Sequence, residues 1–243
     1  MSLISVDTNI EPNYVVGDCK LLRYDMGNGV EAFSTMKDSP LPYPVVQAHQ
    51  THTDRIALIT DPNTTREQLE GIDAMITRLP NCSIGARTAD CVPILLYDPE
   101  QRAVAAIHSG WRGTVLRISQ QTIKRMQDEF GTRPEHLRAV IGPSIGVDAF
   151  QVGEEVVKAF DEAGFPMDEI YEYRGEHIDG DLHTGHHIDL WKANKHLLTD
   201  SGIRAENIQI AGICSYTQHD RFNSARWDKN NKTQRTITAI KLI

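Results

Sequence analysis

The stretch CVPILLYDPEQRAVAAIHSGWRGT, residues 91–114, decides how this chain folds. Two apolar runs, 92–97 and 103–108, flank the turn-rich spacer DPEQR, so the segment reads as an antiparallel hairpin. In such a ladder the start of one strand lies beside the end of the other. Cys91 and His108 therefore come to the same end of one ladder, a thiol beside an imidazole. The chain then turns through Gly110-Trp111-Arg112-Gly113 into a helix. The two glycines allow the backbone to approach a ligand closely. N–H groups at a helix start attract anions and Arg112 adds a fixed cationic fork, so Arg112 and Ser109 are the candidate contacts for an anion such as phosphate.

Working outward, residues 30–33 and 45–49 read as short strands joined through the proline-rich SPLPYP, and 55–60 and 71–77 as two more. Residues 115–130 carry apolar side chains at helical spacing (Val115, Ile118, Ile123, Met126) and close at Gly131. A strand follows at 137–141, helices at 153–163 and 188–198, and late strands at 207–214 and 236–243. Hairpins interleaved with strand–helix units predict an α/β chain of mixed sheets covered by helices. No repeat, linker or low-complexity tract divides it, so 1–243 reads as a single domain.

The 243 residues are 40% hydrophobic and 24% charged, an ordinary globular balance. At this length roughly 70–75% of the unfolded surface is buried without disulfide staples. A net charge of −8 argues against a general nucleic-acid surface. No apolar run reaches the roughly 20 residues of a membrane helix, and MSLISVDTNIEPNY lacks the pattern of an export signal. A cytoplasmic location is expected, with Cys19, Cys82, Cys91 and Cys214 as free thiols and no obligate protein partner.

VVQAHQTH offers His49 and His52, of which only His49 continues an apolar segment. A thiolate with imidazoles suits Zn2+, and copper is also feasible. Three protein ligands would leave a position open for water or substrate. His183, His186 and His187 in HTGHH read as a solvated loop, and Asp189 as the cap of the following helix.

Together QAHQTH, ARTADCVPILLYD, AAIHSGWRGT, IGPSIGVDAFQVGEEV, IDLWKAN and CSYTQHDRFNSARWD resemble the laccase-domain purine nucleoside phosphorylase family, also called multicopper polyphenol oxidase-like. The resemblance implies a four-layer α/β/β/α sandwich with mixed sheets. It implies a metal held by His49, Cys91 and His108, with the family's Q-V-H-G element read at Gln47-Ala48-His49-Gln50; the element's glycine is missing here, which leaves His52 as the alternative to His49. The family's C-Y-E-V element stands here as Ala149-Phe150-Gln151-Val152. Its N-terminal Thr-Arg is reduced to Thr35-Met36-Lys37, so Lys37 inherits any substrate role of that arginine. The implied substrates are purine nucleosides and phosphate: phosphorolysis of adenosine, inosine and 5′-methylthioadenosine, with deamination of adenosine. Asp90, beside Cys91, is the candidate proton shuttle. Two rivals use the same residues, a cysteine hydrolase with Cys91 as nucleophile and His108 as base, and a copper polyphenol oxidase. The second is disfavoured because several coppers need His-x-His pairs, and the chain has none.

Overall fold

Short apolar runs broken by glycine, proline and aspartate turns make the first half of the chain mainly strands. In the computed structural model, which describes residues 13–230 and 233–243, they are β1 (Tyr14–Val16), β2 (Cys19–Tyr24), β3 (Val30–Thr35), β4 (Val46–Gln47), β5 (Ile56–Leu58), β6 (Ala74–Thr77), β7 (Ser83–Thr88), β8 (Val92–Asp98) and β9 (Ala103–Ser109). There follow α1 (Trp111–Val115), α2 (Ile118–Phe130), β10 (Arg138–Ile141), β11 (Gln151–Val152), α3 (Glu154–Glu162), α4 (Met167–Ile170), β12 (Tyr171–Tyr173), β13 (His186–Ile188), α5 (Leu190–Asp200), β14 (Ile208–Ile210) and β15 (Thr236–Leu242). Most of the N-terminal segment read for an export signal, 1–12, lies outside the described residues. Among the described residues no helix is long and apolar enough to cross a membrane.

The strands form two six-stranded sheets, ordered β1-β2-β3-β15-β7-β4 and β14-β10-β8-β9-β6-β5, and a three-stranded sheet β11-β13-β12. Parallel pairs β4–β7, β5–β6 and β10–β14 sit among antiparallel neighbours, so both large sheets are mixed. The β8–β9 hairpin occupies the middle of the second sheet, with Val92 opposite Ser109 and Pro93 opposite His108. Every residue of both strands is buried, because each face of the hairpin is covered. Leu95, Val104 and Ala106 face Ile84, Ile240 and Leu242 of the first sheet. Ile94, Leu96 and Ile107 receive Ile123 and Met126 of α2 and Leu197 of α5. Burial on both faces is why these runs are continuously apolar rather than alternating.

The helices gather on the second sheet. The outer face of the first, with Leu21, Phe33 and Ala239, is closed by Leu41, Tyr43 and Val45 of the proline-rich loop after β3. The helix expected over 115–130 is divided at Arg117, whose φ of 60° is left-handed. Its guanidinium donates to the Ala163 carbonyl at 2.8 Å and lies over the Phe165 ring, which holds the break. HTGHH is not simply a solvated loop: His186 and His187 lie in β13, the central strand of the small sheet. His187 is fully buried, its ring nitrogens on the carbonyls of Val147 and Thr184.

Gly85 in β7 has no space for a side chain: a Cβ there would stand 2.8 Å from Val45 Cγ1 and 3.2 Å from Ala239 Cβ. Gly85→Ala is expected to cost about 1–3 kcal/mol of unfolding free energy by overpacking. The readout is a lower urea midpoint at unchanged slope; a midpoint equal to that of the parent protein would contradict this packing.

Candidate metal centre

The hairpin delivers Cys91 and His108 together, as its register requires. His108 ends a buried strand, and Cys91 lies one residue before the strand that pairs with it. Gly110 is then forced by sterics: a Cβ there would lie 2.9 Å from Cys91 Sγ and 3.1 Å from His52 Cδ2.

The third side chain is His52, not His49. His52, Cys91 and His108 each offer one donor atom, and these atoms lie within 4.8 Å of one another. Cys91 Sγ stands 3.8 Å from His52 Nε2. His49 does continue the extended segment after β4, but strand alternation turns it away from the buried Val46 and Ala48. It bridges the backbone beside Glu70, and its exposed ring meets the Glu70 carboxylate.

What turns His52 inward is Asp73, a residue the sequence reading passed over. Its carboxylate, 2% exposed, accepts the N–H groups of Thr51, His52 and Thr53 at 3.1, 3.0 and 2.8 Å and the Thr53 hydroxyl at 2.9 Å. Three successive N–H groups converge on one anion, and the loop bends through a left-handed His52 at φ 64° to let them. Asp73 also sits 2.7 Å from His108 Nδ1, which leaves Nε2 of that ring to face Cys91. A missed sequence signal was present: Gln-x-His occurs twice in register, at 47–49 and 50–52. The second glutamine pairs with the backbone N–H and C=O of Arg87, anchoring the loop to β7.

The charges reinforce one another. Burial would push the Cys91 thiol up, but the His108 charge and hydrogen bonds from both histidines outweigh it and bring the thiol to about 6. Burial would push His108 down, yet the Cys91 charge and the Asp73 hydrogen bond raise it to about 9. Asp73 itself, despite desolvation, is held well below the usual carboxylate range by His108 and Thr53. Between these limits the thiolate–imidazolium form dominates.

The other expected site residues separate. Asp90, left-handed at φ 86°, turns its carboxylate from the cluster onto Ser215 Oγ (2.7 Å) and the Arg226 N–H (2.6 Å). Ser109 is fully buried and hydrogen-bonded to Asn194 and Thr114, a helix-packing role in place of the expected phosphate contact. Lys37 donates to the His219 carbonyl at 2.8 Å. Arg112 is exposed on α1, over the Trp111 ring. Asp189 caps α5 through the Lys192 N–H, as its position predicts. Among the described residues His183, His186 and His187 form no ligand group, and His186 Nδ1 instead meets the Tyr171 hydroxyl.

Two outcomes follow. In chelator-treated protein, alkylation of Cys91 should rise through pH about 6 and level off by neutrality. A rise centred near the ordinary thiol value of about 8.5 would contradict the ion pair. Asp73→Asn should lower metal affinity about 10- to 100-fold, as losing such an orienting carboxylate does; wild-type affinity by competition with a chelator would contradict its role.

The family model described as "Multi-copper polyphenol oxidoreductase laccase" matches residues 30–243. A purine nucleoside phosphorylase of Bacteroides thetaiotaomicron is 42% identical over 226 residues, covering 89% of this chain and 81% of that protein. The adenosine deaminase RL5 of an unknown prokaryotic organism is 41% identical over 203 residues, 81% of this chain and 74% of that one. Among solved structures, the hypothetical protein YfiH of Bacillus licheniformis superposes with a TM-score of 0.80 at 26% identity, covering 92% and 96% of the two chains. YlmD of Geobacillus stearothermophilus shares the fold at 0.78 and 20% identity, covering 96% and 99%. With a match spanning nearly all of the described fold, the chain belongs to the multi-copper polyphenol oxidoreductase laccase family.

Proposed function

We propose that this chain is a metal-dependent purine nucleoside enzyme. It cleaves adenosine, inosine and 5′-methylthioadenosine with phosphate, giving the free base and the ribose 1-phosphate or its methylthio analogue, and it also deaminates adenosine. The observation that carries this reading is the His52–Cys91–His108 cluster in a fold whose relatives bear the names purine nucleoside phosphorylase and adenosine deaminase.

A thiolate with two imidazoles is a zinc donor set, with copper a feasible second. The burial gradient fits an open site: His108 is buried, Cys91 half-buried and His52 exposed. When bound, zinc supplies a Lewis acid that works at neutral pH. The chain's own residues do the rest. Asp73 fixes the tautomer of His108 and the direction of His52. Arg112, exposed one turn beyond His108, is assigned to the phosphate, where a planar cation offsets charge and orients the nucleophile. Asp90 is assigned to positioning, since two donors already hold its carboxylate. Lys37 donates to the His219 carbonyl in the loop after β14, to which Ser215 and Arg226 also belong, and supports the placement of that loop rather than contacting phosphate.

One observation favours a second reading. Asp73, His108 and Cys91 form a chain in which an acid orients a base beside a lowered thiol, the arrangement of a cysteine nucleophile. Metal dependence separates the two. On the proposed reading, bound metal shields Cys91 from iodoacetamide and chelation abolishes turnover; a nucleophilic thiol alkylates with metal present and keeps working after chelation.

The direct test incubates adenosine with and without phosphate and assays metal in parallel. Phosphate-dependent adenine and phosphate-independent inosine are both expected. His52→Ala should remove stoichiometric zinc and lower both activities by at least about a hundredfold, whereas His49→Ala should leave them near wild type. Full activity in His52→Ala, or loss in His49→Ala alone, would contradict the ligand set.

A further inference from the structure

A purine nucleoside enzyme requires a surface for a flat base, which the metal-ligand cluster, Asp73, Asp90 and Arg112 do not supply. The loop after β14 carries three clustered rings: Tyr216, which packs against the core on the helix side of the second sheet, His219 and Trp227. Trp227 is 51% exposed although it is the largest apolar side chain of its loop. It is nevertheless held rigidly. The His219 ring stacks on it at 3.5 Å and 6° from parallel, and Tyr216 meets it edge-on at 5.5 Å and 71°. Its backbone N–H donates to Ser224 Oγ at 3.2 Å, and the His219 carbonyl accepts from Lys37. An exposed tryptophan fixed in this way leaves ring surface open to solvent without the freedom to fold it away.

The loop is also tied to the metal centre. Asp90, the residue before Cys91, accepts from Ser215, which precedes Tyr216, and from the N–H of Arg226, which precedes Trp227. Arg226 is pinned in turn, donating to the carbonyls of Ala149 and Gln151 and lying over Phe150. Counting bonds from Cys91 through Asp90 and Arg226 places the Trp227 Cα no more than roughly 15 Å from the Cys91 Cα. The left-handed backbone of Asp90 is explained by the same tie, because it aims the carboxylate at the loop while the chain continues into the buried strand.

The geometry points to Trp227 as the stacking platform for the purine base, with His219 behind it and Tyr216 at its edge. This rests on the proposed nucleoside chemistry and adds the residue that selects a flat heterocycle. Aromatic platforms suit this task because every purine presents a π-face, so one platform can serve adenosine, inosine and 5′-methylthioadenosine alike.

The test uses the zinc-loaded full chain and adenine as the probe. Of its three tryptophans, Trp111 and Trp191 are half-buried and Trp227 is exposed, so stacking is readable in fluorescence. Adenine should quench the wild type saturably, and Trp227→Ala and Trp227→Phe should lose that quenching. Trp227→Ala should raise KM for adenosine roughly tenfold or more, with zinc content unchanged and kcat within about threefold. Trp227→Phe should restore most of the KM. An unchanged KM in Trp227→Ala, or saturable quenching that persists in it, would overturn the platform even if the wild type turns over adenosine normally. Conversely, a wild type that acts on no nucleoside defeats the proposed function. Adenine quenching then still decides the platform: lost in Trp227→Ala it stands, absent from the wild type it falls.

Discussion

Placing a carboxylate where water cannot reach it is costly unless every lone pair finds a donor, and Asp73 meets that condition with three successive backbone N–H groups, a hydroxyl and an imidazole. Satisfying this one anion has three structural consequences. The 51–53 loop must wrap around it, His52 must adopt a left-handed backbone, and His108 must present its other nitrogen to Cys91. The candidate centre is therefore organised from behind, by a charge that touches none of the open space where a substrate would sit. The thiol and the imidazole hold opposite charges across neutral pH because, against the effect of burial, each favours the other's charge and the Asp73 hydrogen bond adds to that of His108.

The scaffold beneath is the β8–β9 hairpin. Because both its faces are covered, one by the first sheet and one by α2 and α5, the register is fixed by packing. A slip of one residue would send its buried side chains to the opposite face. That rigidity transmits to the end of the ladder, where Cys91 and His108 meet, and to the turn at Gly110, where no side chain is tolerated. The 49–53 loop and the loop bearing Trp227 are each tied to the site end of this frame through an aspartate, Asp73 and Asp90 respectively.

Much of this was legible in the amino-acid sequence. Cys91 and His108 were, because two apolar runs of similar length around DPEQR leave little choice of register. The mixed α/β class was as well, because hairpins and strand–helix units alternate. His52 was not. Apolar continuation favours His49, while the deciding interaction comes from Asp73, distant in sequence and marked only as a lone acid before an apolar strand. The helix break at Arg117 was hidden for a similar reason: its left-handed turn depends on Ala163 and Phe165, far along the chain. HTGHH was misleading because glycine and histidine suggest a polar loop, whereas pairing with β11 and β12 makes His186 and His187 the middle of a sheet. Residues whose place depends on neighbours in sequence were readable, and those placed by a distant hydrogen bond were not.

The central claim is that one metal ion is held by His52, Cys91 and His108. X-ray absorption of the purified protein at the metal edge tests it most directly, because it reads the ligand atoms themselves. The account predicts one sulfur at about 2.3 Å and two imidazole nitrogens at about 2.0–2.1 Å, with His52→Ala losing one nitrogen and His49→Ala losing none. A shell without sulfur, or one unchanged by His52→Ala, would contradict it.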